Sequence, residues 1–210
     1  MATDIADWVE TIGMPLVPNL AIKDRVIEIA RDFCQHTQLW NNVALTAIDV
    51  VAATADYDLA SADGDIVGVD TAFYDEVEMN PSSPEDGDLV STWRTETEAK
   101  PQRYMVNQTD SIKLVYTPSA SLTGGLVVYA SLKPLETATT VPDFIWGTYK
   151  KVIRNGVRWL LFDLPGFVWS NPELAERYKL RYRSARDAAA SKRIIGRTKG
   201  DIRISGGYFA

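Results

Sequence analysis

Helical periodicity marks the N-terminal part of the chain. Thr3 precedes a short apolar stripe that Gly13 ends, and Asn19 precedes a longer one. In both stripes apolar residues recur every three or four positions, as on the buried face of an amphipathic helix. Thr3 and Asn19 are therefore predicted N-caps, and Gly13 a predicted C-cap. The predicted buried residues are Ile5, Trp8, Val9 and Ile12, followed by Ile22, Val26, Ile29, Ala30 and Phe33.

The middle of the chain loses this period and alternates between apolar and polar residues. Candidate strands in its first half are 43–51, 65–74 and 88–95, with turn-forming residues between them. Short strands at this spacing predict a small antiparallel sheet or sandwich. A turn is predicted at Gly124-Gly125. On either side of it, the alternating apolar residues are Ile112, Leu114 and Tyr116, then Leu126, Val128, Ala130 and Leu132.

Helical periodicity returns near residue 139. Thr140 is a predicted cap, and Pro142 is tolerated in a first helical turn. Leu164-Pro165-Gly166 ends this helix, and Ser170-Asn171-Pro172-Glu173 has the pattern of a capping box that opens the last one. Gly156 falls on the apolar stripe, which predicts a close approach of another backbone there. The predicted buried residues are Ile145, Tyr149, Val152, Gly156 and Leu160, then Leu174, Tyr178, Tyr182, Ala185 and Ala189.

These patterns together predict an α+β protein. Helices from both ends form a bundle, an antiparallel β-rich domain is inserted between them, and an extended C-terminal arm follows. The predicted bounds are 1–41 for the N-terminal helices, 42–138 for the β-rich insertion, 139–195 for the C-terminal helices and 196–210 for the arm.

Composition narrows the class of protein. The chain has 210 residues, 46% of them hydrophobic, which is enough for a real core. One cysteine, Cys34, excludes an intramolecular disulfide, and one Cys with one His (His36) cannot form a Cys/His zinc site. We find no apolar run long enough to cross a membrane and no signal-peptide pattern at the N-terminus. A soluble protein of a reducing compartment, with no membrane partner, is expected.

The formal net charge of −6 hides a strong asymmetry. Residues 49–100 contain fourteen acidic side chains against two basic ones, whereas residues 150–210 contain fourteen basic side chains against five acidic ones. Such a chain can attract copies of itself, an acidic protein or nucleic acid. Two ordinary solvated surfaces would give the same count, so charge alone leaves these alternatives open.

Candidate binding residues are suggested by the positive charge of the C-terminal third and by aromatic residues that no predicted element of the chain would bury. Lys150, Lys151, Arg154 and Arg158 are predicted to form a basic helix face that lines a channel or meets a neighbouring subunit. Trp169, between two predicted helices, is a candidate interface residue. In the predicted arm, the candidate portal- or subunit-binding residues are Arg197, Lys199, Arg203, Ile204, Tyr208 and Phe209.

Catalytic patterns are weak by comparison. His36 and Cys34 are two residues apart and so face different sides of a helix, which argues against a Cys–His dyad. The sequence lacks a phosphate-binding loop and a nucleophile elbow. Asp63, Asp65 and Asp70 lack the spacing of a calcium loop and are predicted to be solvated acids near a turn. No catalytic residue, metal or cofactor is predicted.

The order of short motifs resembles one family of proteins. These motifs are Phe33-Cys34, Pro101-x-x-Tyr104, Ile112-x-Leu114-x-x-x-Pro118, Leu132-Lys133-Pro134, Leu164-Pro165-Gly166 and Trp169-x-Asn171-Pro172. In this order they resemble the head-to-tail adaptor (connector) proteins of tailed bacteriophages, in particular those with short tails. The resemblance covers nearly the whole chain.

The resemblance implies a structural role in the virion. Such adaptors form a ring, a dodecamer in this family, beneath the portal protein. They join the portal to the tail nozzle or tail tube and surround the channel through which the genomic DNA leaves. The expected location is the neck between capsid and tail, after assembly in the host cytoplasm. The C-terminal arm is expected to grip the portal or a neighbouring subunit.

Two other functions stay open from the sequence. A virion-associated cell-wall hydrolase would need a well-placed pair of acids in a cleft. A ligand-binding β module would need aromatic residues clustered in the β-rich zone, whereas Trp146, Trp159 and Trp169 lie in the helical part.

Overall fold

The computed structural model describes residues 2–83, 96–98 and 100–197, in which the helices lie towards both ends and most of the strands lie between them. Within these residues the helices are α1 (Ala6–Ile12), α2 (Asn19–Thr37), α3 (Asp143–Phe162) and α4 (Pro172–Arg197). The strands are β1 (Ala2–Asp4), β2 (Val43–Ala44), β3 (Ile48–Val50), β4 (Asp56–Asp58), β5 (Asp65–Tyr74), β6 (Val77–Glu78), β7 (Asn80–Pro81), β8 (Thr97–Glu98), β9 (Arg103–Gln108), β10 (Ser111–Val115), β11 (Thr117–Pro118), β12 (Leu122–Lys133) and β13 (Thr140–Pro142). The predicted α+β class is confirmed.

One hydrophobic core is built by the helices. Helix α3 packs against α2 and α4, α2 also contacts α4, and α1 contacts α2 and α3. Removing the apolar faces of these helices from water stabilises the arrangement. The predicted stripe of α2 is confirmed, because all five of its residues are buried, as are Ile5, Trp8 and Ile12 of the N-terminal segment. The fully buried residues Trp8, Phe33, Ile145, Val157 and Tyr182 belong to this core.

Gly156 lets α3 approach its neighbours closely. A Cβ at this position would lie 2.7 Å from Cγ2 of Ile29 and 3.0 Å from Cδ2 of Tyr182. The expected close approach is therefore present, but the neighbouring atoms are side chains of α2 and α4, not another backbone. Only glycine fits here without a shift of these neighbours.

A second core lies between the sheets. The order β2-β12-β5-β6, with β3 also paired to β12, forms one sheet, and β4-β10-β9-β7 forms another. Most pairs are antiparallel, whereas β7–β9 and β8–β11 are parallel. Strand β5 spans the predicted range 65–74. Its partner β12 supplies the buried residues Leu126, Val128, Ala130 and Leu132, as the alternation predicts. The candidate strand 88–95 lies outside the described residues.

The predicted Gly124-Gly125 turn is wrong. Both glycines lie inside β12, which is twelve residues long. Gly124 has a φ of +62°, and the pairing of β12 with β3 shifts between Leu122 and Leu126. A bulge places an extra residue in one strand and often needs glycine at a left-handed position. The glycines therefore bend a long strand and do not end a short one.

Several predicted helix caps are also corrected. Thr3 lies in β1 and Thr140 in β13, and these two strands pair with each other. The helices that follow begin later, at Ala6 and Asp143. Asn19 is the first residue of α2 and not its cap. Gly13, with a φ of +64°, ends α1 as predicted.

The last helix differs from its prediction at both ends. Oδ1 of Asn171 accepts a hydrogen bond from the backbone N–H of Leu174 at 3.1 Å, so Asn171 caps α4 in place of Ser170. The helix continues through Gly196 to Arg197, beyond its predicted end at residue 195. Arg197 is therefore helical and does not begin an extended arm.

A buried ion pair joins the helical and β-rich regions. Nη2 of Arg193, on α4, donates to Oδ1 of Asp70, on β5, at 2.9 Å, and their side chains are 10% and 3% exposed. The hydroxyl of Ser131, on β12, donates to the same carboxylate at 2.9 Å. Asp65 likewise accepts from Arg31 of α2 at 2.7 Å. The expectation of a solvated acid is thus wrong for Asp70, whereas the Asp65 side chain is 41% exposed and stays in contact with solvent while it pairs with Arg31.

Candidate functional site

The predicted basic face of α3 divides into two parts. Arg158 is turned inward: its Nε and Nη2 donate to the carbonyl oxygen of Ile12 at 3.0 and 2.7 Å. This carbonyl lies at the C-terminal end of α1, where the helix dipole favours a cation. Arg158 therefore connects α1 to α3, and its role at a channel or subunit interface stays a prediction.

Lys150, one of the same four residues, packs on an aromatic ring. Its Nζ lies 3.7 Å from the centre of the Trp146 ring, a cation–π contact. Lys151 and Arg154 instead line an open groove between α3 and α4, which has a volume of about 870 Å³. The wall from α4 contains Tyr178, Leu180, Arg181, Ser184, Ala185 and Ala188. We call this feature the α3–α4 groove.

Positive charge in the α3–α4 groove has no acidic counterpart within the described residues. Lys151, Arg154 and Arg181 form no ion pair there, and Nε of Arg154 is buried without a hydrogen-bond acceptor. A guanidinium group carries only donors, and a buried donor without an acceptor is costly. A carboxylate or phosphate from another molecule would satisfy it.

The floor of the groove is largely apolar. Leu180 is 62% exposed there, beside the small side chains of Ala185 and Ala188. Leu180, Ser184 and Ala188 follow each other at intervals of four residues, about one helical turn, and therefore lie along one side of α4. The groove thus combines an apolar floor with cations above it, which suits an acidic segment that also carries an apolar side chain.

A second exposed feature is the loop between α3 and α4. Trp169 is half-buried against the helical core, and its ring stacks on that of Phe167 with centroids 4.6 Å apart. The most exposed apolar residues of this loop are Phe167 and Val168, at 51% and 89%. The sequence pointed to Trp169 as the interface candidate, whereas the residues that face outward are Phe167 and Val168. The interface role of this loop stays a prediction.

A third exposed feature is the β5–β6 hairpin. Asp75 and Glu76 form its two-residue turn, with φ angles of +47° and +65°, as in a type I′ turn. Asp75 accepts from Nζ of Lys100 at 2.5 Å, and this contact raises the pKa of Lys100. Glu76, Val77 and Glu78 are exposed, and the two glutamates form no ion pair among the described residues.

The candidate catalytic residues are not brought together as a dyad. Cys34 is buried, and this burial raises the pKa of its thiol to about 12, so it is protonated at neutral pH. His36 is half-exposed, with Nδ1 3.2 Å from Oδ1 of Asp32. That carboxylate also accepts from the hydroxyl of Tyr182 at 2.5 Å, and burial followed by this bond raises the pKa of Tyr182.

The remaining candidates lie at or beyond the end of α4. Arg197 is the last residue of that helix. Lys199, Arg203, Ile204, Tyr208 and Phe209 lie outside the described residues. Their predicted binding role is neither supported nor contradicted by the fold.

Across residues 2–83, 96–98 and 100–197, no group of three or more His, Cys, Asp or Glu residues is placed to hold a metal ion. None of the helices in this part of the chain is both long and apolar enough to span a membrane.

The geometry defines a protein with surfaces suited to binding other macromolecules: a basic groove, an apolar loop and an acidic hairpin. Comparison with known families gives the class a name. Residues 1–203 match the model of the SU10 adaptor protein family, and the chain belongs to this family. No curated protein matches the chain.

This membership confirms the coarser part of the sequence-based prediction. The chain is a phage adaptor protein, which is a structural class of protein and a virion component. A structural role is consistent with the prediction that the chain is not an enzyme.

Proposed function

We propose that this protein forms a homo-oligomeric ring, of twelve subunits, in the neck of a short-tailed phage. The ring joins the portal to the tail nozzle or tube and surrounds the channel through which DNA is ejected. The observation that carries this proposal is the family match over residues 1–203, because it includes every described helix and strand.

The distribution of charge supports a ring of copies. A head-to-tail contact joins two different surfaces, and repeated copies close into a ring if the rotation permits. The chain offers two such surfaces of opposite charge: the cations of the α3–α4 groove and the acidic β-rich region. A ring also presents two different rims, which suits a protein that joins two unlike neighbours.

The C-terminal arm is proposed to contact the portal or the next subunit. Residues 198–210 combine two basic side chains, Lys199 and Arg203, with the apolar residues Ile204, Tyr208 and Phe209. Aromatic residues are common anchors of protein interfaces. We therefore expect the two aromatic residues to supply most of the affinity of this segment for its partner.

Electron microscopy of the purified chain, alone and mixed with the portal protein of the same phage, tests the main proposal. We expect rings that stack coaxially on the portal, and density for the chain in the neck of the virion. Single subunits that never bind the portal, or density elsewhere in the particle, would contradict the proposal.

Deleting residues 198–210 tests the arm separately, because the deletion leaves α4 whole. The shortened subunit should keep its melting temperature, since the deletion begins after the last residue of α4, and should lose portal binding in co-sedimentation. The matched pair is Tyr208→Ala/Phe209→Ala against Ser205→Ala, of which only the first should weaken binding. Full attachment of the shortened chain would refute a role of the arm.

A further inference from the structure

We propose that the α3–α4 groove of one subunit receives the β5–β6 hairpin of a second copy, so that Glu76 and Glu78 lie against its cations and Val77 against its apolar floor. This proposal rests on the proposed function, because it names the contact that would join neighbouring subunits of the ring.

The cations of the α3–α4 groove lack an anionic partner among the described residues. Lys151, Arg154 and Arg181 face it without a carboxylate from the described residues, and Nε of Arg154 is buried without an acceptor. Arg158 lines the same groove but already donates to the carbonyl of Ile12. An anion from outside the subunit would neutralise these cations and could supply the acceptor.

The apolar floor of the groove narrows the type of anion. A nucleic-acid backbone would satisfy the cations, but it would leave the apolar floor around Leu180, Ala185 and Ala188 without a matching surface. A protein segment with carboxylates on both sides of an aliphatic residue matches both parts. The groove volume of about 870 Å³ admits several side chains.

The chain itself presents such a segment. Glu76, Val77 and Glu78 follow each other at the tip of the hairpin, and Val77 is 51% exposed. Strand β6 lies at the edge of its sheet, so the sheet does not cover the tip on that side. The tight turn and the pairing of Tyr74 with Val77 hold the hairpin in one conformation, which limits the entropy lost on docking.

The C-terminal arm of the same subunit is the main competitor for the groove. It carries two bases, Lys199 and Arg203, against one acid, Asp201, whereas the hairpin tip presents Glu76 and Glu78, so charge favours the hairpin. The groove lies on the helices and the hairpin on a sheet, which gives the two different surfaces that a head-to-tail contact needs.

Site-directed cross-linking between two separately purified chains tests this contact. One chain carries Val77→Cys and the other Ser184→Cys, and the full-length chains are mixed with a short bifunctional thiol reagent. Only a contact between copies can join them as a heterodimer. The native Cys34 is buried, so the unmodified chain serves as the blank. Val77→Cys mixed with Leu20→Cys, an exposed position on α2, is the matched control.

We expect the Val77–Ser184 product to form and the Val77–Leu20 product to stay at background. In the Ser184→Cys chain, Arg181→Glu should lower the yield by on the order of 10-fold, because it places a like charge against the hairpin. Arg177→Glu, an exposed change of the same helix outside the groove, should leave the yield unchanged. Arg154→Gln gives a second test that does not depend on Arg181. Circular dichroism confirms that each variant is folded.

Charge exchange gives the decisive result. Arg181→Glu in one chain combined with Glu76→Arg/Glu78→Arg in the other should restore most of the product. Equal yields from both cysteine pairs, or no loss with Arg181→Glu, would overturn the proposal. So would a product that rises when residues 198–210 are deleted while Arg181→Glu has no effect, which would assign the groove to the arm. Duplex DNA that binds the groove and displaces the hairpin would assign it to nucleic acid.

Failure of this contact and failure of the adaptor role give different results. If rings form and bind the portal while the cross-link is absent, the hairpin contact is wrong and the adaptor proposal stands. If the cross-link forms but the chain is missing from the virion neck, the contact is right and the adaptor proposal is wrong.

Discussion

The β-rich and helical regions differ in how their charged residues are paired. Several acids of the β-rich region form ion pairs: Asp56 with Lys113, Asp65 with Arg31, Asp70 with Arg193 and Asp75 with Lys100. In the helical region, the cations at the α3–α4 groove have no such partner among the described residues. Net charge does not distinguish these residues, whereas the geometry separates the paired acids from the groove cations and from Glu76 and Glu78 of the hairpin, which form no ion pair among the described residues.

The two regions also differ in how they are joined to each other. Most ion pairs of the β-rich acids are exposed and contribute little to stability. Asp70 and Arg193 are the exception, because both are almost completely buried and they connect a sheet to the end of α4. Substituting a residue of this pair therefore tests whether the two cores fold as one unit.

Asp70→Asn should give the largest effect. The amide keeps the size of the side chain but leaves the buried Arg193 without a matching charge, so the free energy of unfolding should fall by about 3–5 kcal/mol. Chemical denaturation followed by tryptophan fluorescence, which reports mainly on the helical core, and by far-ultraviolet circular dichroism measures this loss.

The matched control is Asp56→Asn, which removes an ion pair whose carboxylate is 67% exposed. It should cost about 1 kcal/mol or less. If Asp70→Asn lowers the free energy of unfolding by no more than this control does, the Asp70–Arg193 ion pair does not hold the two regions together. Two separate unfolding transitions in the Asp70 variant would show that the two cores unfold independently once the Asp70–Arg193 ion pair is broken.

Sequence predicted the helical region better than the β-rich one, for a physical reason. The buried face of α2 follows from a period of 3.6 residues within one helix, so every predicted residue is buried. Pairing of β1 with β13 joins residues such as Thr3 and Val141, and no local pattern encodes it. The caps predicted at Thr3 and Thr140 failed because this pairing extends both residues into strands.

The candidate sites also depend on contacts between residues far apart in the sequence, which local patterns do not encode. Periodicity correctly placed Lys151 and Arg154 away from the core, but it could not reveal that Arg158 binds the carbonyl of Ile12, far away in the sequence. Arg181 and the small residues of α4 could have been found from their spacing of one helical turn. The β5–β6 turn was missed because Asp75 and Glu76 replace the Asn-Gly or Gly-Gly pair that usually predicts a type I′ turn.

Packing inside the helical region gives the next largest effect. In Gly156→Ala the new Cβ would lie 2.7 Å from Cγ2 of Ile29. The crowding should outweigh the better helix propensity of alanine and lower the free energy of unfolding by about 1–3 kcal/mol. Thermal denaturation with a fixed protein concentration measures the change.

Gly147, in the same helix, is the control for this substitution. A Cβ at that position meets nothing within 4 Å. Gly147→Ala should therefore raise the free energy of unfolding by about 0.5–1 kcal/mol, through helix propensity alone. A gain of the same size in both variants would mean that α3 is not tightly packed at Gly156, and the helical core would then be no denser than the β-rich one.

The smallest expected effect depends on pH and again concerns the helical core. Burial raises the pKa of Cys34 from 9.0 to about 12 in the folded protein. Between these values the thiol ionises only when the chain unfolds, so alkaline pH favours the unfolded state. At pH 10 this linkage should lower the free energy of unfolding by about 1.4 kcal/mol relative to its value near pH 7.

Cys34→Ala separates this contribution from that of the other ionisable groups. The variant should be less stable than the original chain at pH 7, because it leaves a small cavity, and the difference should shrink as the pH rises to 10. Denaturant titrations of both chains across this range give the comparison. A constant difference would mean that Cys34 is as accessible to water in the folded chain as in the unfolded one, and the core at the α2–α4 contact would then be looser than its geometry implies.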